Sequence, residues 1–170
     1  MRGFTLIELL VVLVIIGTLV SLVSFSSGLV SPERQYAREA ERSQQLLQLL
    51  LDEALLAGVD YGVQVEANRL SLWQWQADEQ RWQPVPQFAP LVLAEPLRFS
   101  LELQGEPWAL ASPSEEEQDA PSTAAPLPQL LFLASGEFSP FRLSVAVPKQ
   151  ANRWLIAGDG FNLAALEQLQ

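Results

Sequence analysis

Carboxylates are the residues of this chain best placed to do chemistry, and three of their settings invite it. The first is the adjacent pair, Asp52-Glu53 and Asp78-Glu79. Acid–base catalysis needs two groups that converge on one proton, and neighbours on a helix point apart. Asp52-Glu53, in a helical stretch, is therefore a poor catalytic pair. The second is the run Glu115-Glu116-Glu117-Gln118-Asp119. Its oxygens suit Ca²⁺, but the spacing and glycine of an EF-hand loop are missing. It reads as a solvated loop, with contact to a basic partner surface as the alternative. The third is Glu8, the only charge between Phe4 and Val30. An ionised acid deep in hydrocarbon costs roughly 2.5–3.5 kcal/mol on insertion scales, and less near the membrane face. A charge kept at that cost implies a use.

Other catalytic parts are missing. The chain has no His and no Cys. Without His there is no Ser-His-Asp arrangement, no common general base and no common metal ligand. Without Cys there is no disulfide framework or thiolate metal site. Gly158-Asp159-Gly160 is too short for a phosphate loop and reads as a turn. Trp73 and Trp75 suggest sugar stacking, but a hydrophobic sheet face or a subunit contact explains them better. No enzyme, catalytic residue, metal or cofactor is expected. Twenty acids against ten bases give a net charge of −10, which argues against nucleic acid as a partner.

The elements that position Glu8 come next. From Leu9 to Val23 the chain is apolar apart from Gly, Thr and Ser. About 20 apolar residues cross a bilayer, so the stretch 4–30 suffices for a membrane helix. A secretory signal peptide has a shorter apolar core with no charge inside it, which disfavours that reading. Arg2 and the initiator amine precede the apolar run. The positive-inside rule then predicts a single-pass inner-membrane segment, N-terminus cytoplasmic and C-terminal domain periplasmic. Ser31-Pro32-Glu33 reads as a helix restart, with Ser as cap and Pro in the first turn. Over 31–57 the helix continues, with Ala40, Leu47, Leu50, Leu51, Ala54 and Leu55 on one face and Gly58 as its stop. A continuous helix from Phe4 to Ala57 would be about 80 Å long, with Gly28 and Pro32 as places to bend.

After Gly58 the hydrophobic period changes to two. Strands are expected at 61–65, 69–76, 81–83, 97–103, 129–133, 141–147 and 153–157. Prolines in 84–96 leave room for a short edge strand at most. The segment 111–128, rich in Pro and acids, is expected to be a mobile loop. The fold class is α+β: a long N-terminal helix followed by antiparallel β-sheets of about seven or eight short strands over 58–170.

Three stretches resemble known families. Gly3-Phe4-Thr5-Leu6-Ile7-Glu8 resembles the processing and assembly signal of type IV pilins and pseudopilins. The resemblance implies that prepilin peptidase cuts between Gly3 and Phe4, making 1–3 a leader. Phe4 would then be N-methylated, and Phe4 and Glu8 would direct assembly. The new amine of Phe4, positive below its ordinary pKa of about 8, is the natural partner for Glu8 of a neighbouring subunit. The leader Met1-Arg2-Gly3 is shorter than usual for the family.

The stretch from Pro128 to Phe141, PQLLFLASGEFSPF, is similar to the signature of minor pseudopilin H of type II secretion, the GspH family. The segment from Tyr61 to Trp82 and Pro84 resembles the same family. The implied function is a structural subunit near the tip of a periplasmic pseudopilus that supports export of folded proteins. The implied partners are the other minor pseudopilins, the major pseudopilin, the prepilin peptidase and the inner-membrane secretion platform. Two alternatives stand beside it. One is a FimT-like minor pilin linked to DNA uptake. The other is a membrane-anchored periplasmic domain that never assembles. A DNA-binding version needs a basic surface near its C-terminus, where this chain has only Arg153 against Asp159 and Glu167.

Overall fold

The computed structural model describes residues 6–26, 32–111 and 127–169, with the side chains of α1 described from Leu6 to Thr18. The chain divides into two units, Met1–Gln35 and Tyr36–Gln170. Helix α1 spans Leu6–Ser26 and helix α2 spans Pro32–Ala57. The expected Ser31 cap, the junction at 27–31 and the acidic stretch within 112–126 lie outside the described residues.

Helix α2 forms because its apolar residues recur at helical spacing and it has neither Gly nor an internal Pro. Ala40, Ser43, Leu47, Leu50, Leu51 and Ala54 are buried. Ser43 is the polar member, and its hydroxyl is satisfied by donating to the Glu39 carbonyl at 2.9 Å. Leu55 was expected on this face and is instead half exposed, at 51%. A helix advances about 100° per residue, so Leu55 lies about 40° beyond Leu51, already at the edge of the buried arc. The helix stops at Gly58, whose φ of 65° lets its N–H turn back to the Ala54 carbonyl at 3.0 Å.

Ten strands follow among the described residues, in two antiparallel sheets. In the first sheet, β1 (Tyr61–Val65) lies between β2 (Arg69–Gln76) and β7 (Leu130–Phe132). β3 (Arg81–Pro84) and β4 (Leu91–Val92) pair with the far side of β2. The second sheet runs β10 (Glu167–Leu169), β9 (Arg153–Gly158), β8 (Phe141–Ala146), β5 (Arg98–Leu103) and β6 (Glu106–Trp108). One core joins the buried face of α2 to the inward residues of both sheets, including Val63, Leu70, Phe99, Leu143 and Ile156. The α+β expectation holds, with β6 and β10 as strands beyond those expected. β6 is exposed along its length and β10 nearly so, and neither alternates apolar with polar. The hydrophobic period that reveals half-buried strands is therefore missing from both.

The sheets are tied at the β1–β2 turn. The Ala67 N–H donates to the Ala111 carbonyl at 3.0 Å, and its own carbonyl accepts from Phe99 N–H at 2.7 Å. The Asn68 carbonyl accepts from Leu93 N–H at 2.9 Å.

Candidate assembly site on the N-terminal helix

Helix α1 carries one charge, Glu8, in its first turn. Its position near the helix N-terminus suits a carboxylate, because unpaired backbone N–H groups give that end a positive potential. Among the described residues, Glu8 has no hydrogen-bond or ion-pair partner. Every side chain from Leu6 to Thr18 is exposed, from Leu6 at 83% to Val12 at 43% for the large apolar ones. Burying one such side chain contributes about 1.5–3 kcal/mol. Ten of them are exposed between Leu6 and Ile16, on average a little over half, which leaves roughly 10–20 kcal/mol to be gained from an apolar surrounding. Thr18, which sequence reasoning passed over, donates its hydroxyl to the Ile15 carbonyl at 2.8 Å. That bond hides its polar group within the helix, as an apolar surrounding demands.

Gly3 and Phe4 lie outside the described residues, so of the expected assembly residues Glu8 is the one placed. Among the described residues, no helix is long and apolar enough to cross a membrane.

The remaining candidate groups occupy structural positions. Asp52 accepts from the Gln48 amide at 3.0 Å, one helical turn away. Glu79 takes Arg81 as an ion pair and the Gln83 amide at 2.7 Å, closing the β2–β3 turn. Trp75 packs edge-on against Trp82 with ring centroids 5.3 Å apart. Asp159 sits in a turn, where its Oδ1 accepts from Phe161 N–H at 2.9 Å and Asn162 N–H at 2.7 Å. The backbone N–H groups of Asn162 and Phe161, then the Asn162 side chain, hold this carboxyl below the usual range. No group of three or more acidic residues among those described is placed to hold a metal ion.

The stretch from Pro128 to Phe141 leads from β7 of the first sheet into β8 of the second. Pro128 lies over Gly62 so closely that a Cβ there would stand 2.5 Å from its ring. The Gln129 side-chain carbonyl accepts from Val65 N–H at 2.8 Å, extending the β1–β7 ladder by one bond beyond the strand. Leu130 and Phe132 are buried, and Phe138 stacks on Phe132 at 5.5 Å. Phe138 also covers Gly158 of β9, where any side chain would strike the ring. Glycine at 62 and 158 is thus required by partners on this stretch, a dependence invisible without the paired strands.

The comparisons agree with this geometry. The family of the prokaryotic N-terminal methylation motif matches residues 1–24, and the family of type II transport protein GspH matches residues 39–160. The methylation motif implies anchoring in the inner membrane. Type II secretion system protein H of Pseudomonas aeruginosa is 40% identical over 167 residues, covering 98% of this chain and 95% of that protein. Its counterpart in Vibrio cholerae is 36% identical over 159 residues, covering 85% and 81%. The crystal structure of the minor pseudopilin EpsH from the type II secretion system of Vibrio cholerae matches with a TM-score of 0.64 at 30% identity. It covers 82% of this chain and 98% of that one. The chain belongs to the GspH family and is a minor pseudopilin H of the type II secretion system, a structural protein without enzymatic activity.

Proposed function

We propose that the chain is processed between Gly3 and Phe4 by prepilin peptidase and that Phe4 is N-methylated. The mature protein is held in the inner membrane by residues 4–30, N-terminus cytoplasmic and the β domain periplasmic. It then enters a periplasmic pseudopilus near its tip, below the other minor pseudopilins and above the major one, and supports export of folded proteins. The inner-membrane secretion platform is its assembly partner. The observation that carries this reading is Glu8, without a partner among the described residues, in a helix whose described apolar side chains from Leu6 to Ile16 are all exposed. Such a helix gains from lipid before assembly and from neighbouring helices after it. The carboxylate gains from a neighbour's N-terminal amine, whose charge persists below a pKa of about 8.

Mass spectrometry of the protein recovered from membranes tests the processing step. The expected N-terminal peptide begins at Phe4 and carries one added methyl group; a peptide retaining Met1-Arg2-Gly3 would refute it. Glu8→Ala tests the assembly step. The variant is expected to insert in the membrane at normal levels, yet to fail to co-purify with the major pseudopilin and to lower secretion. Normal co-assembly of Glu8→Ala would sink the pairing.

A further inference from the structure

The outward face of the second sheet carries a cationic row. Ala146, at the end of β8, pairs with Arg98 on one side and Arg153 on the other. The adjacent residues Phe99, Val145 and Trp154 are buried. Strand side chains alternate between faces, so Arg98, Ala146 and Arg153 share the outer one. Strands lie about 4.8 Å apart, which puts the two arginine backbones about 10 Å apart with a single methyl group between them. Lys149 is exposed in the turn from β8 to β9, which is closed by Gln150 N–H donating to the Val147 carbonyl at 3.1 Å. In the next row Ser100 pairs with Ser144 on the same face.

These cations are incompletely matched. Arg98 donates to Glu95 at 3.0 Å and to the Leu97 carbonyl at 2.7 Å. Among the described residues Arg153 and Lys149 have no ion-pair partner. The corner therefore keeps two unmatched cations beside a third, on a chain whose net charge is −10. Two acids border the corner, Glu95 on Arg98 and Glu167 opposite Leu155, one row from Arg153. At physiological salt, charges beyond about 8 Å are largely screened, so a ligand there meets three cations against these two acids rather than the charge of the whole chain.

We propose that this corner docks an acidic segment of a partner polypeptide, laid extended across the ends of β5, β8 and β9. The argument is charge complementarity with a fitted geometry. Arginine forks take carboxylates through two parallel bonds. Alternate side chains of an extended strand stand about 6.7 Å apart, within the span of two arginine side chains rooted about 10 Å apart. Ala146 leaves the space between them open, and the hydroxyls of Ser100 and Ser144 can accept or donate to the segment's backbone.

The test uses the full chain in uncharged detergent and a fluorescent pentaglutamate peptide, followed by anisotropy at low and high salt. Saturable binding that weakens with salt is expected. The double variant Lys149→Glu/Arg153→Glu, with an unchanged melting temperature, should bind roughly tenfold or more weakly. Lys149→Arg/Arg153→Lys should retain binding, and pentaglutamine should not bind. Equal binding of the charge-reversed variant or of pentaglutamine would overturn the proposal. So would binding that appears only when Glu115, Glu116, Glu117 and Asp119 are replaced by their amides, because the chain's own acids would then hold the corner. Phosphatidylglycerol vesicles give the last arm: capture that depends on Lys149 and Arg153 without peptide binding would assign the corner to lipid instead.

Discussion

Asp159 illustrates how a fully exposed carboxylate still shapes a fold. Three donors from Phe161 and Asn162 converge on it, and they favour its ionised form. Its folded pKa therefore lies below the unfolded value of about 3.9. Such a group adds stability that is present above the unfolded pKa and is lost as pH falls through the folded pKa. Asp159→Ala should lower the melting temperature at pH 7, and the gap from the wild type should narrow as the pH drops below the carboxylate range. Thermal melts across pH check this; a gap that is constant with pH would mean the charge is not the cause. At this scale the sequence was informative wherever a residue broke a pattern. Glu8 stands out as a charge among apolar neighbours. Asp159 between two glycines read as a turn, and its three donors, two and three residues further on, give it the form of an Asx turn.

Helix α2 separates the readable from the unreadable at the scale of elements. Its leucines have fates that change within two residues: Leu47 is fully buried, and Leu49, about 200° around the helix, is 48% exposed. Leu47→Ala removes a core side chain and should cost about 2–5 kcal/mol in urea unfolding. Leu49→Ala should stay within about 0.5 kcal/mol of the wild type. Equal effects would show that the buried face has been misplaced. The central strands were legible for the same reason as the helix. β5 and β8 alternate apolar and polar residues because one face of each meets the core. β6 and β10 were not legible, since short exposed edge strands form by pairing with a neighbour already in place. Leu55 was misassigned because helical spacing alone does not say how wide the buried arc is.

The two units divide the work of the whole molecule. Every residue of the shared core lies between Ala40 and Ile156, inside the unit Tyr36–Gln170. A chain beginning at Tyr36 is therefore expected to be soluble and to unfold in one cooperative transition, with the helical and tryptophan signals coinciding on heating. Separate transitions would mean that the first unit is needed for the fold. The class of the fold, and the division between an apolar helix and a β domain, could be read from the change of hydrophobic period after Gly58. The family could be read from Gly3–Glu8, Pro128–Phe141 and the segment from Tyr61 to Pro84. What could not be read was why the stretch from Pro128 to Phe141 takes the form it does. Its constraints come from Gly62 and Gly158, some 65 residues before Pro128 and 20 after Phe138, and they exist only once the strands have paired.

The turn at Ala67 has a mechanical consequence. Its N–H and its carbonyl each engage a different segment, and the neighbouring Asn68 carbonyl engages a third. These short backbone bonds converge at one corner and act as a rivet. Shear between the sheets is opposed there by directional bonds, and again where Phe138 N–H, beside β7, donates to the Gly160 carbonyl just past β9 at 2.8 Å. Side-chain packing, which has little preference for direction, fills the space between. Two such fastenings hold the sheets against pivoting as well as sliding, so a load on the domain would be carried by the pair rather than by either alone.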